Sequence, residues 1–442
     1  MYRDNLSEHY EVLAEHYFLS ESYLKSAEYS RLASRKAEKA ASLNDSIAHA
    51  KRRVISLERL PQMEDLEKQI IDARVVLGLY MAQMNFNIEA KEAIDSIIDL
   101  AIKHDYKKRL CQIYSIMGCY YCFVEENYPE AFKALEEALK ISGEVKDIIT
   151  SILSSFWFGA ALGWNCEFER SAKYLQLSVN ANLAVNNLWG IASTKSALAY
   201  FSYYHYGKLD LQFQTTEEAL RIAEESGDIY PKAMAYTNHG FSCYGKGFLG
   251  EAEKHLLKGI EFCERINLYS WNGCARLHLG DAYFEMGDLS KSKEHYKKES
   301  WVLENFRCFQ SWANLGKVGL ARSKVMNKEK DVNLESLYTH SRNNKVKVAE
   351  GWFQRYIGEI LLNIDDQHMT EAEHWIQNAI EADQRNRMMF HLGKDYALYA
   401  DLFKRRGDKL KARENLGKAI EILKECGADG WVTKYEKELA GL

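Results

Sequence analysis

Three stretches of this sequence carry residue types that could do chemistry. Cys119-x2-Cys122, with Cys111 nearby, has the spacing of half a zinc site. A structural zinc needs four ligands, and no second pair stands at workable spacing. On a continuous helix these cysteines flank Tyr120 and Tyr121 as small packing residues. Gly245-Lys246-Gly247-Phe248-Leu249-Gly250 fits the dinucleotide-binding glycine string, but that chemistry needs a strand before the string and a helix N-terminus after it. Here a helical pattern precedes it, and the glycines fall in a turn between helices. Lys404-Arg405-Arg406 with Lys409, Lys411 and Arg413 is interleaved with Asp401, Asp408 and Glu414, which describes a solvated face rather than a phosphate site.

The histidines are dispersed. His9 with His16, and His368 with His374, have no partnering acid pattern, so surface or interface positions are expected for all of them. The P-loop, H-E-x-x-H and G-x-S-x-G strings are absent. No catalytic residue, cofactor or metal is expected, and the chain reads as a non-enzyme.

The elements behind these residues repeat. A small-x3-apolar-x2-small pattern recurs as Ala90/Ile94/Ile97, Ala131/Leu135/Ala138, Ser171/Leu175/Ser178 and Gln212/Thr216/Ala219. It continues as Ala252/Leu256/Gly259, Ser292/Tyr296/Glu299, Ala372/Ile376/Ala379 and Ala412/Leu416/Ala419. A second beat of small residues runs ahead of it at Gly78, Gly118, Gly159, Ala199, Gly240, Gly280, Gly319, Gly358 and Ala400. The sharpest copy is Leu279-Gly280-x2-Tyr283, then Gly287-Asp288, then Ser292-x3-Tyr296. This is the tetratricopeptide (TPR) pattern, stretched to a period of about 40 residues from the usual ~34.

The expected fold is all-α: a TPR-like superhelical solenoid of antiparallel helix pairs. Small residues let paired helices approach, and no repeat buries its apolar face alone. The expected organisation is an N-terminal helical segment over 1–60 and an array of about nine repeats over 64–424, with a degenerate repeat near 305–345. A C-terminal capping helix over 428–442 follows, carrying the stripe Trp431, Tyr435, Leu439. Pro61 separates the first two parts.

Composition agrees. Three prolines in 442 residues exclude most all-β folds, and 58 basic against 63 acidic residues give a net charge of −5, which argues against nucleic acid as main partner. Scattered cysteines and the absence of an apolar leader at Met1–Asn5 point to the cytoplasm. The uncharged run Ile148 to Cys166 approaches the length of a membrane span. Its hydroxyl residues and the lack of flanking charge asymmetry favour a buried repeat helix, and no membrane is expected.

In TPR arrays the positions one, four and five places after the small residue of the first helix line the concave groove. Here they give Trp164, Tyr200, Tyr203, Tyr204, Phe241, Tyr244 and Phe284. Further along they give Asp281, Glu359, Asp401 and Arg405. The tyrosine cluster is expected to face solvent and to bind a protein, a peptide or a small ligand. The carboxylate-clamp positions of chaperone-tail TPRs hold Ser115, Phe156, Ser196, Thr237 and Leu277, so no such clamp is expected.

The ends carry a closer resemblance. Leu13-Ala14-Glu15-His16-Tyr17, Lys25-Ser26-Ala27-Glu28-Tyr29, Ala33 and Ile47-Ala48-His49 resemble the junction after the ATPase core in large bacterial signalling proteins. Those proteins join a class III adenylate/guanylate cyclase domain, a STAND-type AAA ATPase and a C-terminal TPR array. Lys411-Ala412-Arg413-Glu414-Asn415-Leu416 and Cys426-Gly427-Ala428-Asp429-Gly430-Trp431 are similar to the close of such arrays. The resemblance implies an interaction or ligand-sensing module that regulates an attached or associated ATPase or cyclase. Neither the cyclase carboxylates nor the ATPase P-loop lies in this chain. A free-standing scaffold binding a protein or peptide in its groove is the alternative.

Overall fold

A computed structural model describes residues 6–61, 63–329 and 331–442. Residues 1–5, read above for a leader, lie outside the described residues. Every regular element is helical, and no strand occurs among the described residues. The chain divides into two compact units that meet in sequence at Trp157 and Phe158.

The first unit opens with α1 (Tyr10–Leu19), α2 (Tyr23–Lys39) and α3 (Leu43–Glu58). Helix α3 begins at Leu43, directly after Ser42, whose hydroxyl donates to the Asp45 carboxylate at 2.6 Å. Then come α4 (Glu64–Gln83), α5 (Asn87–Asp95), α6 (Ile98–Lys103), α7 (Lys107–Phe123) and α8 (Tyr128–Glu144). Helix α9 (Ile148–Trp164) carries the chain into the second unit.

The second unit continues with α10 (Phe168–Ala184), α11 (Leu188–Leu198), α12 (Leu209–Ser226), α13 (Ile229–Lys246) and α14 (Leu249–Ile266). Next are α15 (Tyr269–Glu285), α16 (Leu289–Asn305), α17 (Gln310–Met326) and α18 (Leu334–Arg342). It closes with α19 (Glu350–Ile364), α20 (Met369–Arg385), α21 (Met389–Arg405), α22 (Lys409–Cys426) and α23 (Asp429–Ala440). The first helices of successive pairs start at 107, 148, 188, 229, 269, 310, 350 and 389, the period read from the sequence.

The small-residue beat marks where paired helices touch. A Cβ added to Gly159 would lie 2.6 Å from Leu175, one on Gly240 2.6 Å from Leu256, and one on Gly358 2.8 Å from Ile376. Leu135, Leu175 and Leu256 are fully buried, each stabilising its contact by about 1.5–3 kcal/mol relative to exposure. Where the second helix carries serine, the hydroxyl adds a tie. Ser171 donates to the Gly159 carbonyl at 2.7 Å, and Ser292 to the Gly280 carbonyl at 2.8 Å. Each also meets a serine on the next first helix, Ser202 and Ser323, at 2.9 Å.

The turns follow from local chemistry. Gly287 and Gly407 take the left-handed backbone (φ +82° and +78°) that side chains disfavour. Asp288 and Asp408 then accept from the backbone N–H three residues on, at 3.1 Å. The weak repeat has a physical form: α18 has 9 residues where second helices such as α16 and α20 have 17, about two turns fewer. Gly319 meets Tyr296 of the preceding pair, whose ring is held between Gly280 and Gly319 at 2.9 and 2.5 Å from their would-be Cβ atoms.

Among the described residues no helix is long and apolar enough to cross a membrane. The uncharged run from Ile148 is α9, with Phe158, Ala161 and Leu162 fully buried.

Candidate functional site

Between its two ends the second unit curls until α21–α23 meet α11–α13. Trp431 donates its indole N–H to the Tyr244 carbonyl at 2.9 Å, and Lys246 forms ion pairs with both Asp210 and Asp429. Arg387 pairs with Glu169 at 2.7 Å beneath the Tyr206 ring. The inner faces of the first helices are thereby enclosed within this unit.

The expected groove rings lie on that inner face, but buried. Tyr204 and Phe241 are 0% exposed, Tyr200 1%, Trp164 2%, Tyr244 3% and Phe284 9%; only Tyr203 is half-buried. The expectation of solvent-facing rings is corrected by this enclosure: aromatic packing across the unit covers them. Trp164 meets Trp312 with ring centroids 5.7 Å apart, Tyr204 meets Phe390 at 5.7 Å, and Tyr244 meets Trp431 at 5.6 Å. Phe284 lies under the Arg322 guanidinium at 3.4 Å.

A π-helical segment aims the tyrosines. Residues Ala199–Tyr204 continue α11 with π geometry, a widening often found where function needs a side chain re-aimed. It brings Tyr200 and Tyr204 inward as a stacked pair 6.0 Å apart, with His205 beside both at 5.0 and 4.9 Å.

His205, His278 and His391 sit at the centre of this interior, at most 1% exposed, which corrects the surface reading of histidine. Burial, then the neighbouring His278, pulls His205 down to about 3, and burial pulls His278 down to about 4. Burial, then Arg355, holds His391 well below the usual histidine range. All three are neutral at physiological pH. Their polar tips are poorly satisfied: both His205 nitrogens, Nε2 of His278 and His391, and the hydroxyls of Tyr200 and Tyr204 have no hydrogen-bond partner.

Around the rings runs a buried ionic belt. Arg322 pairs with Glu359 at 2.7 Å and approaches Asp281 and Glu285; Arg355 pairs with Asp395 at 2.9 Å. Tyr296 and Tyr356 both donate to Asp281. Lys394 donates to Glu285 and to the Tyr244 hydroxyl, each at 2.9 Å, while Lys434 reaches the other Glu285 oxygen at 3.0 Å. Burial opposes the charge on Glu285, but Lys394, Lys434 and Arg322 hold it well below the usual carboxylate range. Burial pulls Lys394 down to about 8 despite Glu285. Burial, then Asp395, pushes Asp383 well up.

Of the charged groove positions, Asp281 and Glu359 join this belt, whereas Asp401 and Arg405 pair with each other at 3.0 Å on the surface. The positional rule missed His205, His278, Trp312, Trp352, His391 and Lys394, because it samples only the residues one, four and five places after each small residue. Trp312, Trp352, His391 and Lys394 stand six to nine places before the small residue of their helix, His278 two places before Gly280, and His205 six places after Ala199.

The remaining sequence candidates resolve as packing or surface. Cys119 and Cys122 are fully buried, and burial pushes both thiols well up. Gly247 is a left-handed turn (φ +80°) between α13 and α14. In the basic cluster, Arg406 pairs with Glu373 and Lys411 with Asp408. The first unit has a separate cleft of about 730 Å³. Arg31, Arg35, Arg53 and Arg109 line it; burial pulls Arg53 down to about 10 against the attraction of Asp72, and the other three arginines add to that.

These features define a helical-repeat protein of the tetratricopeptide-like class. No family model matches the chain, and no curated protein matches it. Among solved structures, a Rap protein complexed with competence and sporulation factor is similar over 82% of this chain and 99% of its own, at 12% identity and TM-score 0.57. Aspartyl phosphate phosphatase F from Bacillus subtilis is similar over 82% and 95%, at 12% identity and TM-score 0.46. A STAND ATPase with a tetratricopeptide repeat sensor from Pyrococcus horikoshii is matched over 89% of this chain but 55% of its own, at 17% identity and TM-score 0.42. The Rap likeness establishes the fold class.

Proposed function

We propose that the chain is a non-catalytic interaction and ligand-sensing module, taking a peptide, a protein segment or a small ligand on the inner surface of the Phe158–Leu442 unit. The observation that carries this reading is the set of unsatisfied polar tips on Tyr200, Tyr204, His205, His278 and His391. A buried polar group without a partner costs about 1–3 kcal/mol, and a bound segment with its own N–H and C=O groups would satisfy several at once. The Rap structure of the same fold holds a bound factor, which is consistent with use of such a surface.

Entry requires the contacts of Trp431 with Tyr244 and of Lys394 with Glu285 to part. Binding and opening are then linked, and a ligand shifts the balance only by its preference for the open form. In the finer form of this proposal, opening regulates an attached or associated ATPase or nucleotide cyclase in bacterial signalling, which the resemblance of the two end segments supports. The buried state of the rings favours a second reading, a scaffold that docks partners on its outer helices and keeps its interior shut.

Selection from a displayed library of random linear peptides on the immobilised chain separates the two, with amide hydrogen exchange as readout. Ligands of the interior should alter exchange in α11, α13 and α15 and lose affinity at least tenfold to Tyr203→Ala. Selected peptides that protect outer helices alone would support the scaffold.

A further inference from the structure

We propose that His239, Cys243 and His255 form a binding site for a thiophilic divalent cation, zinc foremost. The site is separate from the enclosed interior and departs from the metal-free expectation of the sequence. His239 and Cys243 stand one helical turn apart on α13, so both project from one face. Helix α14 packs against that face and supplies His255. One donor atom from each of the three side chains lies within 4.8 Å of the other two. The two imidazoles meet edge to face, with centroids 4.7 Å apart at 85°.

Each ring is oriented from its far side. Thr216 Oγ1 lies 3.1 Å from His239 Nδ1, and the threonine hydroxyl has oxygen acceptors of its own in the Phe213 carbonyl and Ser242. The threonine oxygen can therefore accept from Nδ1–H, which leaves Nε2 of His239 with its lone pair free. Glu251 lies 3.5 Å from Nε2 of His255, and Nδ1 of His255 is buried with no hydrogen-bond partner. A carboxylate or hydroxyl holding the outer nitrogen while the inner one points at a cation is the usual support of metal-bound histidine. Here both supports and the unpartnered nitrogen are in place.

The donor set selects the ion. Two imidazoles and one thiol suit zinc, which takes nitrogen and sulfur ligands tetrahedrally and leaves the fourth position to water or to an incoming group. On binding, the Cys243 thiol gives up its proton to solvent and the S–Zn bond forms, with no change of oxidation state. Thiolate and Glu251 then balance the two positive charges. Phe213 and Tyr236 flank the imidazoles with centroids at 5.0 and 5.8 Å, giving a largely dry wall. His255 is half-buried and supplies the access path.

The test uses the full chain stripped with a chelator, titrated with zinc chloride by calorimetry and with cobalt chloride by absorption. One equivalent should bind, with tetrahedral cobalt bands and a thiolate-to-cobalt charge-transfer band. Cys243→Ser should abolish the charge-transfer band and weaken zinc binding at least tenfold, and His255→Gln should weaken it comparably. Cys122→Ser, a buried thiol elsewhere, should leave both signals intact. Absence of saturable binding at micromolar metal, or binding unchanged in Cys243→Ser, would overturn the proposal. The cobalt spectrum of the unsubstituted chain decides the matter even if a variant folds poorly, since no charge-transfer band means no thiolate ligand.

Discussion

Gly247 and Gly430 face each other with no room for a side chain on either. A Cβ on Gly247 would lie 2.7 Å from the Trp431 backbone nitrogen, and one on Gly430 would lie 2.7 Å from the Gly247 carbonyl oxygen. This approach of two backbones from distant parts of the second unit, the α13–α14 turn and the start of α23, lets Trp431 reach Tyr244 and lets Lys246 reach Asp429. Part of the glycine string that imitates a dinucleotide loop therefore serves closure.

Gly430→Ala should separate these backbones at a cost of about 1–3 kcal/mol, the usual range for overpacking. Urea unfolding monitored by tryptophan fluorescence would measure it. Because Trp431 sits at the contact, its emission should also shift to the red under native conditions. A native spectrum and midpoint equal to the parent's would mean the contact yields freely.

Tyr244→Ala should destabilise the fold by about 3–5 kcal/mol, as truncation of a buried aromatic does. Tyr203→Ala, at the half-buried position, should cost clearly less. Equal costs in chemical denaturation would contradict the placement of Tyr244 in the closed interior.

Histidine burial sets a pH dependence. Folded-state values of about 3 for His205 and about 4 for His278 lie below the ordinary 6.5. The unfolded chain therefore binds more protons in that window, and stability present above pH ~6.5 is lost as pH falls towards 4. Each such group tilts the stability curve by up to about 1.4 kcal/mol per pH unit. His205→Phe should flatten the curve between pH 6.5 and 4.5 and raise stability, since both ring nitrogens lack partners. Asp383 and Glu299, pushed up by burial, act in the opposite sense, and the parent–variant difference cancels them. Parallel curves would refute the assignment.

Glu299 is a carboxyl buried where the repeat usually places a small residue, and it fits because Gly316 faces it without a side chain. Gly316→Ala should collide with Glu299 and cost about 1–3 kcal/mol. The same substitution in a Glu299→Ala background should cost much less. A double-mutant cycle by calorimetric melting checks the coupling, and additive effects would show that the two do not meet.

The architecture was legible because it rests on local spacing. Gly159, Gly240, Gly280 and Gly358 announce helix contacts, and the contacts lie where they announce them. The state of the groove was not legible, because it depends on how far a stack turns, a sum of small rotations that no single repeat encodes. Tyr200 and Tyr204 were found as inward residues, yet their coverage by Phe390 and the surrounding rings comes from helices far along the chain. The π segment at Ala199–Tyr204 was hidden as well, since Tyr-Phe-Ser-Tyr-Tyr reads equally well as an ordinary buried helix. His239 and Cys243 carry a helical spacing that suits ligands, but their third partner is supplied only by packing of the next helix.

The meeting of α13 with α23 also fixes a number. An open stack of repeats can lose or duplicate a copy and remain sound, because each copy knows only its neighbours. Here Tyr244 and Trp431 are separated by a set count of copies, and their contact exists only at that count. Removing the forty residues of one pair would carry Trp431 away from its acceptor, whatever joints the remaining copies formed. Loss or gain of one pair inside this stretch would therefore break the contact, so a chain that keeps the contact must also keep the count.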